Sequence, residues 1–190
     1  MLEPNQVVRT FQEQNPIQMQ PDEIETILAT IRAMPEEGIM IEWGSGASTI
    51  RWLQEMHGRQ RLISIEHNAL WFNKVKNVID TDPDLAQRLT YHMCASNGFF
   101  DHGYGMPSEE NPLGLDEYFN PDPTIYDADV FLIDGVARGT CAQMVLMKAS
   151  KANPVIYLHD WYTRRGWYSW SVGLFRQHKR AGDTLCRLWR

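Results

Sequence analysis

Cysteine is scarce in this 190-residue chain. The three present, Cys94, Cys141 and Cys186, are odd in number, far apart and outside any Cys-x-x-Cys pattern. That excludes a disulfide framework and a zinc knuckle, and it suits a reducing compartment. Long apolar runs are missing as well. The first twenty residues are polar, without the basic start and apolar stretch of a signal peptide, and no segment is apolar enough to span a bilayer. A cytoplasmic protein with no membrane partner is expected. Positive charge is also in deficit: a formal net charge of -6 works against nucleic-acid binding, which would need a local basic patch. One group near the C-terminus is a candidate (Arg164, Arg165, Arg176, Lys179, Arg180, Arg187 and Arg190), and its ordinary reading is a solvated surface. Repeats and low-complexity tracts are absent. With 43% hydrophobic and 22% charged residues, extended disorder and a coiled coil are excluded. The length suits one domain, expected over 21–190 behind an N-terminal extension of residues 1–20.

Pro21 and Asp22 precede Ile24, Ile27, Leu28 and Ile31 at helical spacing, with Glu25 three residues after Asp22 as in a capping box, so a helix is expected to run up to Pro35. Ile39, Met40 and Ile41 form a short buried run closed by Glu42, and a glycine-rich turn then leads into a helix through Ile50, Leu53 and Met56. The alternation recurs. A strand over 62–66, a helix carrying Trp71, Val75, Val78 and Ile79, and a strand over 89–93 are followed by strands over 130–133 and 155–158 around a helix starting at Arg138. Short apolar runs of this kind suit strands covered on both faces, so the expected fold is a doubly wound, mostly parallel α/β sandwich. Residues 95–128 form an expected long loop rich in Gly, Pro, Asn and Asp. After the fifth strand a Trp/Tyr/Arg segment is expected to be helical to about Lys179, with one last strand around 184–189, a shortened C-terminal end.

In open α/β sheets ligands bind outside the carboxyl ends of the strands, which makes the residues there informative. After the first strand come Glu42, Trp43, Gly44, Ser45, Gly46, Ala47, Ser48 and Thr49; after the second, Glu66 and His67; after the fourth, Asp134 and Gly135; after the fifth, His159 and Asp160. Glycines at 44 and 46 let a ligand approach the backbone at a helix N-terminus that attracts anions, or they merely make a tight turn. Glu66 stands about twenty residues past that turn, where nucleotide-binding α/β proteins place a carboxylate on the ribose hydroxyls. A dinucleotide site would want a third glycine where this chain has Thr49, and the acidic Glu42 would repel phosphates. An acid there suits a cofactor with a cationic amino group, such as the methionine part of S-adenosylmethionine.

The run Ile41-Glu42-Trp43-Gly44-Ser45-Gly46-Ala47-Ser48-Thr49 resembles the first motif of the class I S-adenosylmethionine-dependent methyltransferases, and Ile63-Ser64-Ile65-Glu66-His67 resembles the second. The resemblance covers about residues 38–160 and implies their Rossmann-like sandwich. It also implies Glu42 near the methionine amino group, Gly44, Ser45, Gly46, Ser48, Thr49 and His67 along the cofactor, Glu66 at the ribose, and Ser96 near the adenine by position alone. Phe131-Leu132-Ile133-Asp134-Gly135, Arg138, and Tyr157-Leu158-His159-Asp160 with Arg164 look like an uncharacterised branch whose fifth strand ends in His-Asp.

Asp134-Gly135-Val136-Ala137 departs from the Asn/Asp-Pro-Pro-aromatic sequence of enzymes that methylate exocyclic amines, and it looks closer to catechol-type O-methyltransferases. That implies O-methylation of a small-molecule or glycan hydroxyl. Asp134 and Asp160 then either hold Mg²⁺ or Mn²⁺, or touch the cofactor and cap a turn respectively. His159, near neutral pKa, is expected as the base, with a third metal ligand or a hydrogen-bonded edge histidine as alternatives. Arg138, Trp161, Arg164 and Tyr104 are the candidate acceptor contacts. The aromatic cluster of Trp161, Tyr162, Trp167, Tyr168 and Trp170 is a platform for a ring or sugar, helix packing, or a homodimer contact. The loop over 95–128, with Phe99, Phe100, His102 and Tyr104, is expected to close as a lid. Two other functions stay open: a noncatalytic nucleoside-binding or interaction module, and a dinucleotide-dependent oxidoreductase.

Overall fold

The structure, a computed structural model, describes residues 4–95 and 114–190. Its helices are α1 (Pro4–Gln14), α2 (Pro21–Arg32), α3 (Ala47–Glu55), α4 (Ala69–Ile79), α5 (Pro83–Ala86), α6 (Asp116–Phe119), α7 (Arg138–Lys148) and α8 (Arg165–Val172). Its strands are β1 (Ile39–Trp43), β2 (Arg61–Glu66), β3 (Leu89–Met93), β4 (Val130–Ile133), β5 (Val155–Leu158), β6 (Gln177–Arg180) and β7 (Cys186–Trp189). They form one sheet in the order β3-β2-β1-β4-β5-β7-β6, parallel from β3 to β5, with β7 antiparallel to both β5 and β6. The order reverses at β1 and β4, which is where such a sheet opens a crevice.

Alternation along β4 shows how the apolar runs are used. Phe131 and Ile133 join the core on one face with Ile41 and Trp43, while Val130 and Leu132 join the core on the other with Met40 and Leu62. All four β4 residues are buried, as a strand covered by helices on both sides requires. Helix α2 starts with Pro21 at its first turn, and the backbone N–H of Gln20 donates to Glu23 Oε2 at 3.0 Å, so the cap involves Gln20 and Glu23 rather than Asp22 and Glu25. Residues before 21 are tied in: Val8 and Phe11 of α1 and Met19 are buried against the core.

Two further expectations are corrected. The C-terminal end is not shortened to one strand: the helix stops at Val172 and residues 177–180 form β6, making an antiparallel hairpin with β7. All four β6 residues are exposed at the sheet edge, so no apolar alternation marks them as a strand. Part of the expected loop over 95–128 is anchored. Leu115, Tyr118, Ile125, Tyr126 and Ala128 are buried in the same core cluster as Trp43, with α6 and a 3-10 turn, Pro123–Asp127, between them. Ser96, Phe99, Phe100, His102 and Tyr104, and with them the lid expectation, lie outside the described residues. Among the described residues no helix is long and apolar enough to cross a membrane.

Candidate active site

At the carboxyl ends of β1, β2 and β4 lies a cleft of about 610 Å³ whose lining includes Gly44, Ser45, Gly46, Ser48, Glu66, His67, Asn68, Trp71, Asp134 and Gly135. Its geometry begins with two glycines. Gly44 has φ +89°, and a Cβ there would stand 2.5 Å from the Cα of Gly135, so the ends of β1 and β4 approach as only glycine permits. Gly135 in turn lies against the Tyr118 hydroxyl, which a side chain would strike. The backbone then enters α3 from Gly46, whose N–H donates to Thr49 Oγ1 at 2.8 Å.

Beneath this turn sits Glu42, fully buried. Its Oε1 accepts from Ser48 Oγ at 3.1 Å and Trp52 Nε1 at 3.0 Å, and its Oε2 from Thr49 Oγ1 at 2.7 Å and Ser64 Oγ at 2.9 Å. Burial pushes its carboxyl up to about 7 against the pull of these hydrogen bonds. Glu42 and Thr49 are therefore not cleft-lining groups: they hold the first turn of α3 from below, while Ser48 reaches the cleft.

Glu66 is at the rim and buried. Its Oε2 accepts from the Ser45 N–H at 3.1 Å and Ser45 Oγ at 2.9 Å, its Oε1 from the N–H groups of His67 at 2.9 Å and Asn68 at 2.8 Å. Burial alone would raise this carboxyl, but the nearby His67 imidazole and the N–H groups of Asn68 and Ser45 outweigh it and hold it below the usual range. His67 Nδ1 stands 3.0 Å from Oε1 but off line for a hydrogen bond. Tyr91 OH donates to Ser45 Oγ at 2.5 Å, and Trp71 Nε1 donates to the Ser45 carbonyl at 2.6 Å, so Ser45 is fixed from three sides.

Across the cleft the ends of β4 and β5 carry a chain of alternating charges. Asp134 Oδ1 is 2.6 Å from His159 Nδ1, and His159 Nε2 is 3.6 Å from Glu23 Oε2. Arg138 Nη1 lies 3.3 Å from Asp134 Oδ1 and 3.0 Å from Asp160 Oδ2, and donates to the His159 carbonyl at 3.0 Å. Arg164 Nε, on an exposed side chain, follows at 3.8 Å from Asp160. Burial works to lower the His159 imidazole, but hydrogen bonding and charge from Asp134, with Asp160 adding, hold it above its ordinary value. Glu23, fully buried, also accepts from Thr184 Oγ1 at 2.8 Å and the N–H groups of Thr184 at 2.5 Å and Leu185 at 2.7 Å; burial opposes but these bonds lower its carboxyl. Asp160 has φ +59°, a left-handed backbone that aims its carboxylate at Arg138.

The expected catalytic trio is thus brought together. Asp134 lines the cleft, whereas His159 and Asp160 do not, and both His159 nitrogens face carboxylates. A divalent cation is not supported: the Arg138 guanidinium already stands between Asp134 and Asp160, and among the described residues no group of three or more His, Cys, Asp or Glu has the arrangement to hold a metal. Trp161 offers no platform, being buried edge-on to Tyr162 and His178. Residues unforeseen at the site are Trp71, Asn68 and the 14–18 segment, which forms the outer wall of the cleft. Glu23 was unforeseen too, although it stands four and eight residues before Ile27 and Ile31, on their buried stripe.

No family model and no curated protein matches the chain. Solved structures do. An O-methyltransferase from Bacillus cereus in complex with SAH aligns at TM-score 0.61 and 11% identity, over 99% of this chain and 90% of that one. A methyltransferase from Geobacter sulfurreducens aligns at 0.57 and 8%, over 99% and 89%. An RNA methyltransferase from Salinibacter ruber in complex with S-adenosyl-L-homocysteine aligns at 0.54 and 14%, over 91% and 92%. Identities this low establish architecture, and the architecture is the Rossmann-like fold of the class I S-adenosylmethionine-dependent methyltransferases.

Proposed function

We propose that the protein is an S-adenosylmethionine-dependent methyltransferase acting on a hydroxyl of a small molecule or sugar, without a divalent cation. The observation that carries the reading is a single cleft faced by a glycine turn, a helix N-terminus and two strand-end carboxylates, Glu66 and Asp134. The cradle fits the cofactor: a Cβ on Gly46 would meet nothing nearer than 3.7 Å and would project into space that a ligand can use.

When bound, the cofactor supplies an electrophilic methyl group on a sulfonium. Glu66 would accept the ribose hydroxyls, with Ser45 Oγ turning aside, because the protein's own donors already fill the carboxylate's four acceptor sites. Gly44, Gly46 and Ser48 would bring backbone to the methionine part, whose carboxylate suits the first turn of α3. Glu42 positions that turn without touching the ligand. Ser96 would lie near the adenine, as the resemblance implies, and Tyr104 would contact the acceptor.

Asp134 is the acid facing the acceptor. It would orient the hydroxyl and take its proton as the carbon–oxygen bond forms, while alignment in the cleft supplies most of the acceleration. His159 fixes Asp134 by the 2.6 Å hydrogen bond and is a positioning residue rather than the base. Residues 21–190 form the catalytic domain, and those before it close the cleft's outer side. Calorimetry tests the cofactor: S-adenosylhomocysteine should bind and NAD should not, and the reverse preference would overturn the reading. Turnover should then be sought as adenosylhomocysteine release over a panel of hydroxyl acceptors with EDTA present. Tight binding without release on any acceptor would instead support a nucleoside-binding module.

A further inference from the structure

The net charge of -6 conceals a segregation. From residue 161 to the end, seven basic residues stand against one acid, Asp183, whereas residues 1–160 carry 11 basic residues against 23 acids. On α8 and the neighbouring edge strand this surplus is left uncompensated. Arg165 and Lys179 have no acidic partner among the described residues, and Arg180 has Asp183 at 4.0 Å, both side chains being mostly exposed. Lys179 stands directly opposite Arg187 in the β6–β7 register, a like-charge pair that weakens the hairpin.

Flat rings are interleaved with these cations. The guanidinium groups of Arg165 and Arg180 lie 5.0 and 4.4 Å from the Tyr162 ring centre, and that of Arg164 lies 5.5 Å from the ring centre of Trp167. Trp167 is 45% exposed and Trp170 51%, among the few large apolar side chains on the surface.

We propose that the face formed by α8 and the Arg180 side of β6 docks single-stranded nucleic acid, with Arg165 and Arg180 on phosphates and Trp167 as a base-stacking surface. Edge protection accounts for Lys179 and Arg180, since charged residues blunt open strand edges, but not for Arg164, Arg165 and two exposed tryptophans on a helix. The charges run along a helix and a strand rather than around a concavity, which matches a polymer's repeating phosphates. Exposed rings beside guanidinium groups match bases, which stack on both. Through Arg164 and Asp160 the face adjoins the acceptor side of the cleft, yet docking does not require methyl transfer, and its failure would leave the proposed function untouched.

The test is fluorescence anisotropy of a labelled 20-nucleotide oligouridylate with the full chain, across a salt series. Binding should weaken as salt rises, with a slope of about 1.4 for two phosphate contacts. The double variant Arg165→Gln, Arg180→Gln should lose about tenfold or more at low salt, and Trp167→Ala about fivefold or more, with circular dichroism confirming the fold. Arg165→Gln and Arg180→Gln alone, on exposed side chains, cover the case of a misfolded double variant. Arg59→Gln, on the loop before β2, should change nothing. Wild-type affinity in the arginine variants would overturn the proposal. So would displacement of the oligonucleotide by polyglutamate as effective as by unlabelled oligouridylate, which would point to an acidic protein partner.

Discussion

Replacing Glu66 by Gln probes the site with a change of one atom. The carboxylate serves four donors, and three of them, the N–H groups of Ser45, His67 and Asn68, are backbone groups that cannot reverse their role. An amide oxygen placed toward His67 and Asn68 satisfies two, leaving the Ser45 N–H facing an NH₂ group; the opposite flip strands two. At best one buried donor is therefore unpaired, at a cost of about 1–3 kcal/mol. For a chain of this length that corresponds to a melting temperature lower by about 2–4 °C per kcal/mol. Cofactor binding suffers separately, because the amide offers the ribose a donor where the carboxylate offered an acceptor. S-adenosylhomocysteine affinity should fall by about ten- to a hundredfold, the worth of a hydrogen bond to a charged group. Ser45→Ala is the converse: it removes a competing donor from Oε2, so affinity should hold or rise. Urea unfolding and calorimetry read both quantities. Unchanged stability and affinity in Glu66→Gln, or a Ser45→Ala variant weakened as much as Glu66→Gln, would refute the reasoning.

Glu42→Gln should fold well, since the amide oxygen can face Trp52 and the amide nitrogen the hydroxyls of Thr49 and Ser64. Because the folded carboxyl is raised from 4.5 to about 7, the wild type should lose stability as pH rises between those values and then level, and the variant should lack that fall; identical urea midpoints against pH in both would exclude it. Arg138→Met strips the bridge between Asp134 and Asp160 and should cost about 3–5 kcal/mol, while EDTA changes neither stability nor turnover of the wild type; turnover lost in EDTA and restored by Mg²⁺ would reinstate the metal. His159, held above 6.5 by Asp134, contributes stability that is full below about 6.5 and disappears as pH rises through its folded value. A proton NMR titration should place its midpoint above 6.5, and His159→Gln should bind cofactor as the wild type does; a midpoint at or below 6.5 would remove the charged pair with Asp134.

Five of the seven strands were legible: β1, β2, β4 and β5 are short apolar runs whose residues are mostly buried, β3, none of whose residues is fully buried, was legible from its place in the strand–helix alternation, and β3, β4 and β5 fall at their expected bounds. The hairpin was half legible: β7 alternates buried and half-buried residues, whereas β6 is polar throughout and owes its conformation to pairing with β7 rather than to its own pattern. Site membership followed the same logic. Residues that immediately end a strand, Glu66 and Asp134, can be located from the strand alone. Partners from distant elements cannot: Glu23 reaches His159 across 136 positions, and its place on the Ile27–Ile31 stripe signals burial but not what it meets.

Register explains why two acids with similar motif credentials have different fates. Glu42 pairs with Ser64 in the β1–β2 ladder and points to the same face, under α3. Glu66 lies two residues beyond Ser64, again on that face but roughly 6.6 Å further toward the carboxyl edge, past the cover of the helix. One step of the pleat pattern therefore separates a carboxyl held in a ring of hydroxyls and an indole from one at the ligand's reach. The buried acid orders Ser48 and Thr49, the helix they begin presents its free amides upward, and the rim acid holds Ser45 beside them. The two acids thus act in series on one turn. Loss of Glu42 would loosen the anion-binding end of the cleft, and loss of Glu66 the ribose end.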